Sequence, residues 1–198
     1  ENIVGVSQGG LGLDTRDYYL SDDAQNKRIL EAYKAYLKKL FLMTGNDEAA
    51  AEKKMQAVIN IETRIAKASY DRVKLRDIEA NYHKMTYAQL INDFPGIDWG
   101  NVFLASGFPA FDYVDVGQPE PIHEVEKILA EASLDDLKSY AEAKVIGGAT
   151  SVLGDEFRKV SFELSSVMTG VKEDRPRWKR AVGLVSGTLG EAIGKLYV

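Results

Sequence analysis

From Ser21, an N-cap followed by Asp22 and Asp23 in the first turn, the apolar residues Ile29, Tyr33, Leu37, Leu40 and Phe41 recur at helical spacing until Gly45. This predicts a helix. A second helix starts near Asn46 or Asp47, with Ala51, Met55, Val58, Ile59 and Ile65 on one side and Lys53, Lys54 and Arg64 turned to water. The polar stretch Asp71 to Glu79 reads as a loop or frayed turn. Thr86 then caps a short helix with Tyr87, Leu90 and Ile91 that stops before Pro95, and Asp98 caps one more turn with Trp99, Val102 and Phe103.

Helical spacing returns after Pro119 and Pro121, first with Val125, Ile128 and Leu129, then with Leu134, Leu137, Tyr140, Ala141 and Val145 behind a Ser133 cap. The pair Gly147-Gly148 should kink or divide that helix from the next, which carries Val152, Phe157, Val160, Leu164 and Val167 and ends at Gly170. The last helix starts around Arg175-Pro176 and runs through Trp178, Val182, Val185, Leu189 and Ile193. Gly183, Gly187, Gly190 and Gly194 punctuate it, and each glycine inside a helix costs about 1 kcal/mol relative to alanine. Close approach of another backbone would offset that cost, so this helix is expected to be buried against a neighbour. Two segments read as strands: Asn2-Ile3-Val4-Gly5-Val6, and Phe111 to Val116, whose alternation suits a half-buried strand that could pair with the first. The expected fold is mainly α, one multi-helix domain over residues 1–198 with a minor two-stranded β element. No long internal repeat points to a solenoid.

With 198 residues, 45% of them hydrophobic, the chain can bury a core of its own. Its 25 basic and 30 acidic side chains give a net charge of −5, spread along the sequence. That argues against nonspecific nucleic-acid binding, which rests on clustered positive charge. With no cysteine there are no disulfides, thiolate metal ligands or cysteine nucleophiles. No apolar run approaches the ~20 residues a membrane-spanning helix needs, and Glu1 to Leu13 lacks a signal-peptide pattern. The chain does not begin with Met, so it is expected to be a processed product or a piece of something longer.

Several short motifs invite chemistry. His123-Glu124-Val125-Glu126-Lys127 imitates the zinc motif HExxH, but Lys127 stands where the second histidine must be, and an ammonium cannot ligate zinc. His83 is the other histidine and could join it only through the fold. Gly10-x-Gly12 lacks the third glycine and the βαβ unit of a dinucleotide fingerprint. Gly190-x-x-x-Gly194-Lys195 is one spacer short of a phosphate loop and ends in Leu196. In Asp14-Thr15-Arg16-Asp17-Tyr18-Tyr19, Arg16 could present a polar substrate contact. The preferred reading is structural, with Arg16 tying down the turn and the tyrosines docking on helices. The basic run Lys172 to Arg180, diluted by Glu173 and Asp174, reads as a solvated helix start, and no G-x-S-x-G elbow is present.

Gln8-Gly9-Gly10-Leu11-Gly12-Leu13-Asp14-Thr15-Arg16-Asp17-Tyr18-Tyr19 resembles the GLGLPxRDYY signature of the neprilysin and endothelin-converting-enzyme family of zinc metallopeptidases. Tyr82-His83-Lys84-Met85-Thr86 resembles that family's YNKMT-like segment. Arg175-Pro176-Arg177-Trp178-Lys179-Arg180 with Leu189 through Val198 resembles its RPRWKRC…LGEALGKLYV segment. The chain departs at Asp14, where the family has proline, and at Ala181, where cysteine is frequent. The resemblance implies a fragment of the helical N-terminal domain that encloses substrate over a catalytic domain, with the family's HExxH and ExxxD motifs lying C-terminal to the matched part. By that implication the chain alone holds no catalytic or metal-binding residue and is inactive. Zinc belongs to the parent enzyme, and the partners are the catalytic domain of the same polypeptide and peptide substrates. The motif residues Gly10, Gly12, Arg16, Asp17, Tyr18, Tyr19, Arg175, Trp178, Gly190 and Gly194 are then structural. The setting implied is extracytoplasmic: periplasmic, cell-surface or secreted. The competing reading is a helical peptide- or protein-binding module without peptidase activity.

Overall fold

The computed structural model describes residues 3–197, so Asn2, at the start of the expected first strand, and Val198, at the end of the last motif, lie outside it. The frame is a helical pair, α2 (Ala24–Met43) and α3 (Glu48–Ala68), preceded by one short turn of helix, α1 (Asp17–Leu20). The apolar stripe of α2 is buried as expected: Ile29, Tyr33, Leu37, Leu40 and Phe41. Its cap differs from expectation. Asp23 rather than Ser21 caps the helix, its Oδ1 accepting from the backbone N–H of Gln25 at 2.9 Å and of Asn26 at 3.1 Å. A carboxylate serves two orphan amides at once and complements the helix dipole, whereas the Ser21 hydroxyl accepts only the Asp23 amide. Asp47 caps α3 by accepting from Ala50 N at 2.8 Å.

The chain then leaves the helical frame to build a small sheet. Three strands form, β1 (Val4–Val6), β2 (Lys84–Thr86) and β3 (Tyr113–Val116), with β3 in the middle, parallel to β1 and antiparallel to β2. The expected pairing of first and last strands is present, but the sheet has three strands, not two. Strand β2 is too short to show alternation. It is held from outside, by the Val116 amide donating to the His83 carbonyl and by the His83 amide donating to Asp115 Oδ1 at 2.7 Å. Val114 and Val116 face inward onto Leu90, Phe94, Trp99, Phe103 and Ile122. Those side chains come from α4 (Tyr87–Asp93), entered through a Thr86/Gln89 capping box, from α5 (Trp99–Ala105), capped by Asp98, and from α6 (Pro119–Glu131).

Helix α7 (Leu134–Leu153) passes through Gly147-Gly148 without a break and ends only at Gly154, whose φ of +137° suits glycine alone. The buried face of α7 also differs from expectation. Ser139, Ala143, Ile146 and Thr150 are inside, while Leu134, Ala141 and Val145 face solvent. Hydroxyls can line this face because the helix itself satisfies them: Ser139 Oγ donates to Asp135 O and Thr150 Oγ1 to Gly147 O. Helix α8 (Asp155–Thr169) lies over α2 as an outer layer, tied by the Lys39–Glu163 ion pair and by Leu164 and Val167 against the core; Val152 belongs to α7 instead.

The expected last helix is two, α9 (Arg177–Thr188) and α10 (Gly190–Tyr197), and α9 buries no residue. Around Gly183, Gly187, Gly190 and Gly194 an added Cβ would meet no atom within 4 Å, so the expected close neighbour is not supplied by the described residues. Replacing Asp23 with Ala should lower stability by about 1 kcal/mol, and Ser21→Ala by clearly less. Urea denaturation of both variants checks this, and equal losses would return the cap to Ser21.

Candidate functional site: the glycine turn and the buried Glu62

The GLGL turn closes over a carboxylate. Glu62 points from α3 into the interior with 0% exposure. Its Oε2 accepts from the Tyr19 hydroxyl at 2.8 Å; its Oε1 accepts from the Tyr33 hydroxyl at 3.1 Å and from Lys144 Nζ of α7 at 2.5 Å. The Tyr19 oxygen in turn accepts the backbone amides of Gly12 and Leu13, at 3.2 and 3.0 Å. The turn is thus bonded to the carboxylate through one phenol. A Cβ on Gly12 would sit 1.8 Å from the Tyr33 hydroxyl, so only glycine lets the backbone pass there. Gly10 accepts the Tyr140 hydroxyl on its carbonyl at 2.7 Å, and the Arg16 guanidinium donates to the Ser69 carbonyl at the end of α3. Asp17 opens α1 and Tyr18 packs, half-buried, on the same core.

Electrostatics follow from this enclosure. Burial first, and the Glu62 charge second, push the Tyr19 and Tyr33 phenols far above the usual phenol value, and the same two causes push Tyr140 up to about 12. All three therefore stay protonated donors at any physiological pH. A carboxylate engaged by three donors and closed to solvent is out of reach of a ligand. What this arrangement can do is fix α1, α2, α3, α7 and the glycine turn in one register. Beside it lies a shallow cavity of about 240 Å³ lined by Tyr33, Tyr36, Lys144, Gly147 and Gly148.

The other candidates lie elsewhere. His123 stacks on Phe94 with ring centroids 4.5 Å apart, and its Nδ1 bonds to Glu126 Oε2 at 2.9 Å. His83 Nδ1 bonds to the Val116 carbonyl. Lys127 is exposed beside Glu124. Each histidine is thus committed to a neighbour within the fold. Trp178 stands 64% exposed on α9, and the Arg175 carbonyl accepts from the Arg180 guanidinium. Gly190 and Gly194 lie in α10. The structure therefore gathers Gly10, Gly12 and Tyr19 around one cluster, ties Arg16 to the end of α3, and leaves Arg175 and Trp178 on the exposed C-terminal segment.

Sequence reasoning missed Glu62, Lys144 and the polar role of Tyr33. One signal was available: Glu62 sits four residues after Val58, inside the buried stripe of α3, where a charge has no reason to be unless paired.

A family model described as peptidase family M13, built on its N-terminal part, matches residues 1–198. The chain belongs to peptidase family M13. Human endothelin-converting enzyme 1 is 32% identical over 207 residues, covering 100% of this chain and 26% of that protein. The zinc metalloprotease ZMP1 of Mycobacterium tuberculosis, solved with an inhibitor, superposes with a TM-score of 0.93 at 32% identity, covering 99% of this chain and 30% of that one. Its open state gives 0.91, so the matched part keeps the same fold in both ZMP1 structures. The chain thus spans about a quarter of the length of its curated relatives.

Lys144→Met should cost roughly 3–5 kcal/mol, because it strands the buried carboxylate. Adding Glu62→Gln to it should recover part of the loss, which a double-mutant cycle in urea reads directly; purely additive losses would mean the two side chains do not interact. The phenol shifts also fix an alkaline limit. Tyr19, Tyr33 and Tyr140 ionise less readily in the folded state than in the unfolded state, whose phenols titrate near about 10, so their contribution is complete below that pH. It is lost as pH rises from there, for Tyr140 through about 12. Melting midpoints should fall steeply above pH ~10, less steeply in Tyr33→Phe; a flat profile would contradict the burial of these hydroxyls.

Proposed function

We propose that the chain is the non-catalytic, substrate-enclosing part of a zinc-dependent metalloendopeptidase. The observation that carries this reading is the match of all 198 residues to the N-terminal model of a peptidase family whose members are about four times as long. The chemistry of the chain agrees. Zinc needs several neutral imidazoles, carboxylates or thiolates converging on one point. This chain has no cysteine, two histidines already bonded within the fold, and an ammonium at Lys127 where HExxH needs its second ligand. These residues do not fit a zinc site, so metal and catalytic base belong to another part of the polypeptide.

The helical frame contributes by confinement. A wall that orients a flexible peptide lowers the entropy lost on reaching the reactive geometry, and one that bounds the chamber excludes by size both folded proteins and chains much longer than a short peptide. The rigidity this needs is supplied by the Glu62 cluster, which locks four helices together. The setting is extracytoplasmic, in keeping with the family; among the described residues no helix is long and apolar enough to cross a membrane.

The test compares the intact protein with a form lacking residues 21–170, once its remaining catalytic part is shown to be folded. The intact protein should cleave a short fluorogenic peptide and spare an unfolded protein. The truncated form should turn over the peptide more slowly and cut the protein. Identical size selectivity in both removes the wall role and favours a binding module.

A further inference from the structure

Trp178, Val182, Val185 and Leu189 follow one another at the alternating four- and three-residue steps of a helix-packing seam, yet they are 64, 56, 45 and 55% exposed. On α2 the same spacing is buried. Gly183 and Gly187 open another side of α9, where a Cβ would touch nothing within 4 Å. Charge sets this segment apart as well. Residues 171–198 hold six basic side chains against three acidic ones, in a chain whose net charge is −5. Asp174 is taken up by Arg158 and Arg180, while Arg175, Arg177 and Lys179 form no ion pair among the described residues.

We propose that α9 is an intramolecular docking helix whose Trp178–Val182–Val185 seam seats in an apolar groove rimmed by carboxylates on another part of the same polypeptide. This rests on the reading that the chain is one part of a longer peptidase. The cations flanking the seam are complementary to an acidic rim, and an apolar seam left in water would be an association hazard. The relatives supply the mass for such a groove, since this chain covers only 26% of endothelin-converting enzyme 1. A lipid surface would use the cations and the tryptophan equally well. The chain's net charge of −5, however, opposes its approach to anionic headgroups, which leaves the groove within the polypeptide as the better fit.

Hydroxyl-radical footprinting of the intact protein tests the assignment. Trp178 should oxidise roughly tenfold more slowly than in the unfolded protein, as expected of a packed side chain, and Val182→Asp should restore much of the lost rate. Trp178 reacting at its unfolded rate in the wild-type protein overturns the proposal, whether or not the variant folds. Protection that disappears on dilution together with a dimer assigns the seam to a second copy. Protection that requires vesicles of phosphatidylcholine and phosphatidylglycerol assigns it to lipid, and either result overturns the intramolecular site. A protected Trp178 in a protein without peptidase activity would keep the docking helix and remove the peptidase reading. An open Trp178 in an active, size-selective peptidase would do the reverse.

Discussion

A carboxylate without solvent contact sets the terms for everything around it. Glu62 has given up its hydration and regains it only if Tyr19, Tyr33 and Lys144 arrive together with correct geometry. Those donors come from α1, α2 and α7, and Tyr19 passes the constraint on to the backbone of the glycine turn. Such a cluster adds little net stability over a well-packed apolar one, because desolvation offsets much of the Coulomb attraction. Its effect is discrimination. A register slip of α7 past α3 would leave an unpaired charge in the interior, so alternative packings of these helices are heavily penalised.

The same accounting explains what could be read from the sequence. Helices α2 and α3 are legible because their apolar stripes and caps are local signals, and only the choices between Ser21 and Asp23 and between Asn46 and Asp47 as caps rest on the folded geometry. The face of α7 was not legible. A stripe of Ser139, Ala143 and Thr150 looks polar until each hydroxyl is seen to bond within its own helix, and Leu134 and Val145 look like core although nothing covers them. Strand β2 exists through pairing with β3 alone, a long-range fact without local trace. The Gly10–Gly12 turn stood out as a motif, but the reason for its glycines lies in the Tyr33 hydroxyl, which α2 brings to the spot.

Three apolar clusters divide the labour, and the smallest, Ile61 and Ile65 of α3 against Ile128 of α6, joins the other two. Of the larger two, one surrounds the Glu62 cluster between α2, α3 and α7; the other lies under the sheet, built on Val114, Val116, Phe94 and Trp99. Between them Gln8 is a polar bridge. Its amide donates to Gln118 Oε1, its side chain exchanges hydrogen bonds with the backbone of Tyr70, and Gln118 continues to Asn81. A bridge of amide groups is directional, and with the packing of Ile128 on Ile61 and Ile65 and the ion pairs of Arg64 to Glu124 and Glu131 it holds the sheet module at a fixed attitude to the helical frame.

The separation of Glu62 from Lys144, 82 residues along the chain, also has a bearing on biosynthesis. At ribosomal rates the carboxylate precedes its ammonium partner by roughly 4–16 s, and all of the sheet module except β1 is made in between. During that interval Glu62 has its two phenol donors, Tyr19 and Tyr33, but not its ammonium. The sheet module, whose partners all lie between Val4 and Ile122, has what it needs earlier. The full set of donors to the interior carboxylate is therefore complete only once α7 has been made, after the last residue of the sheet module.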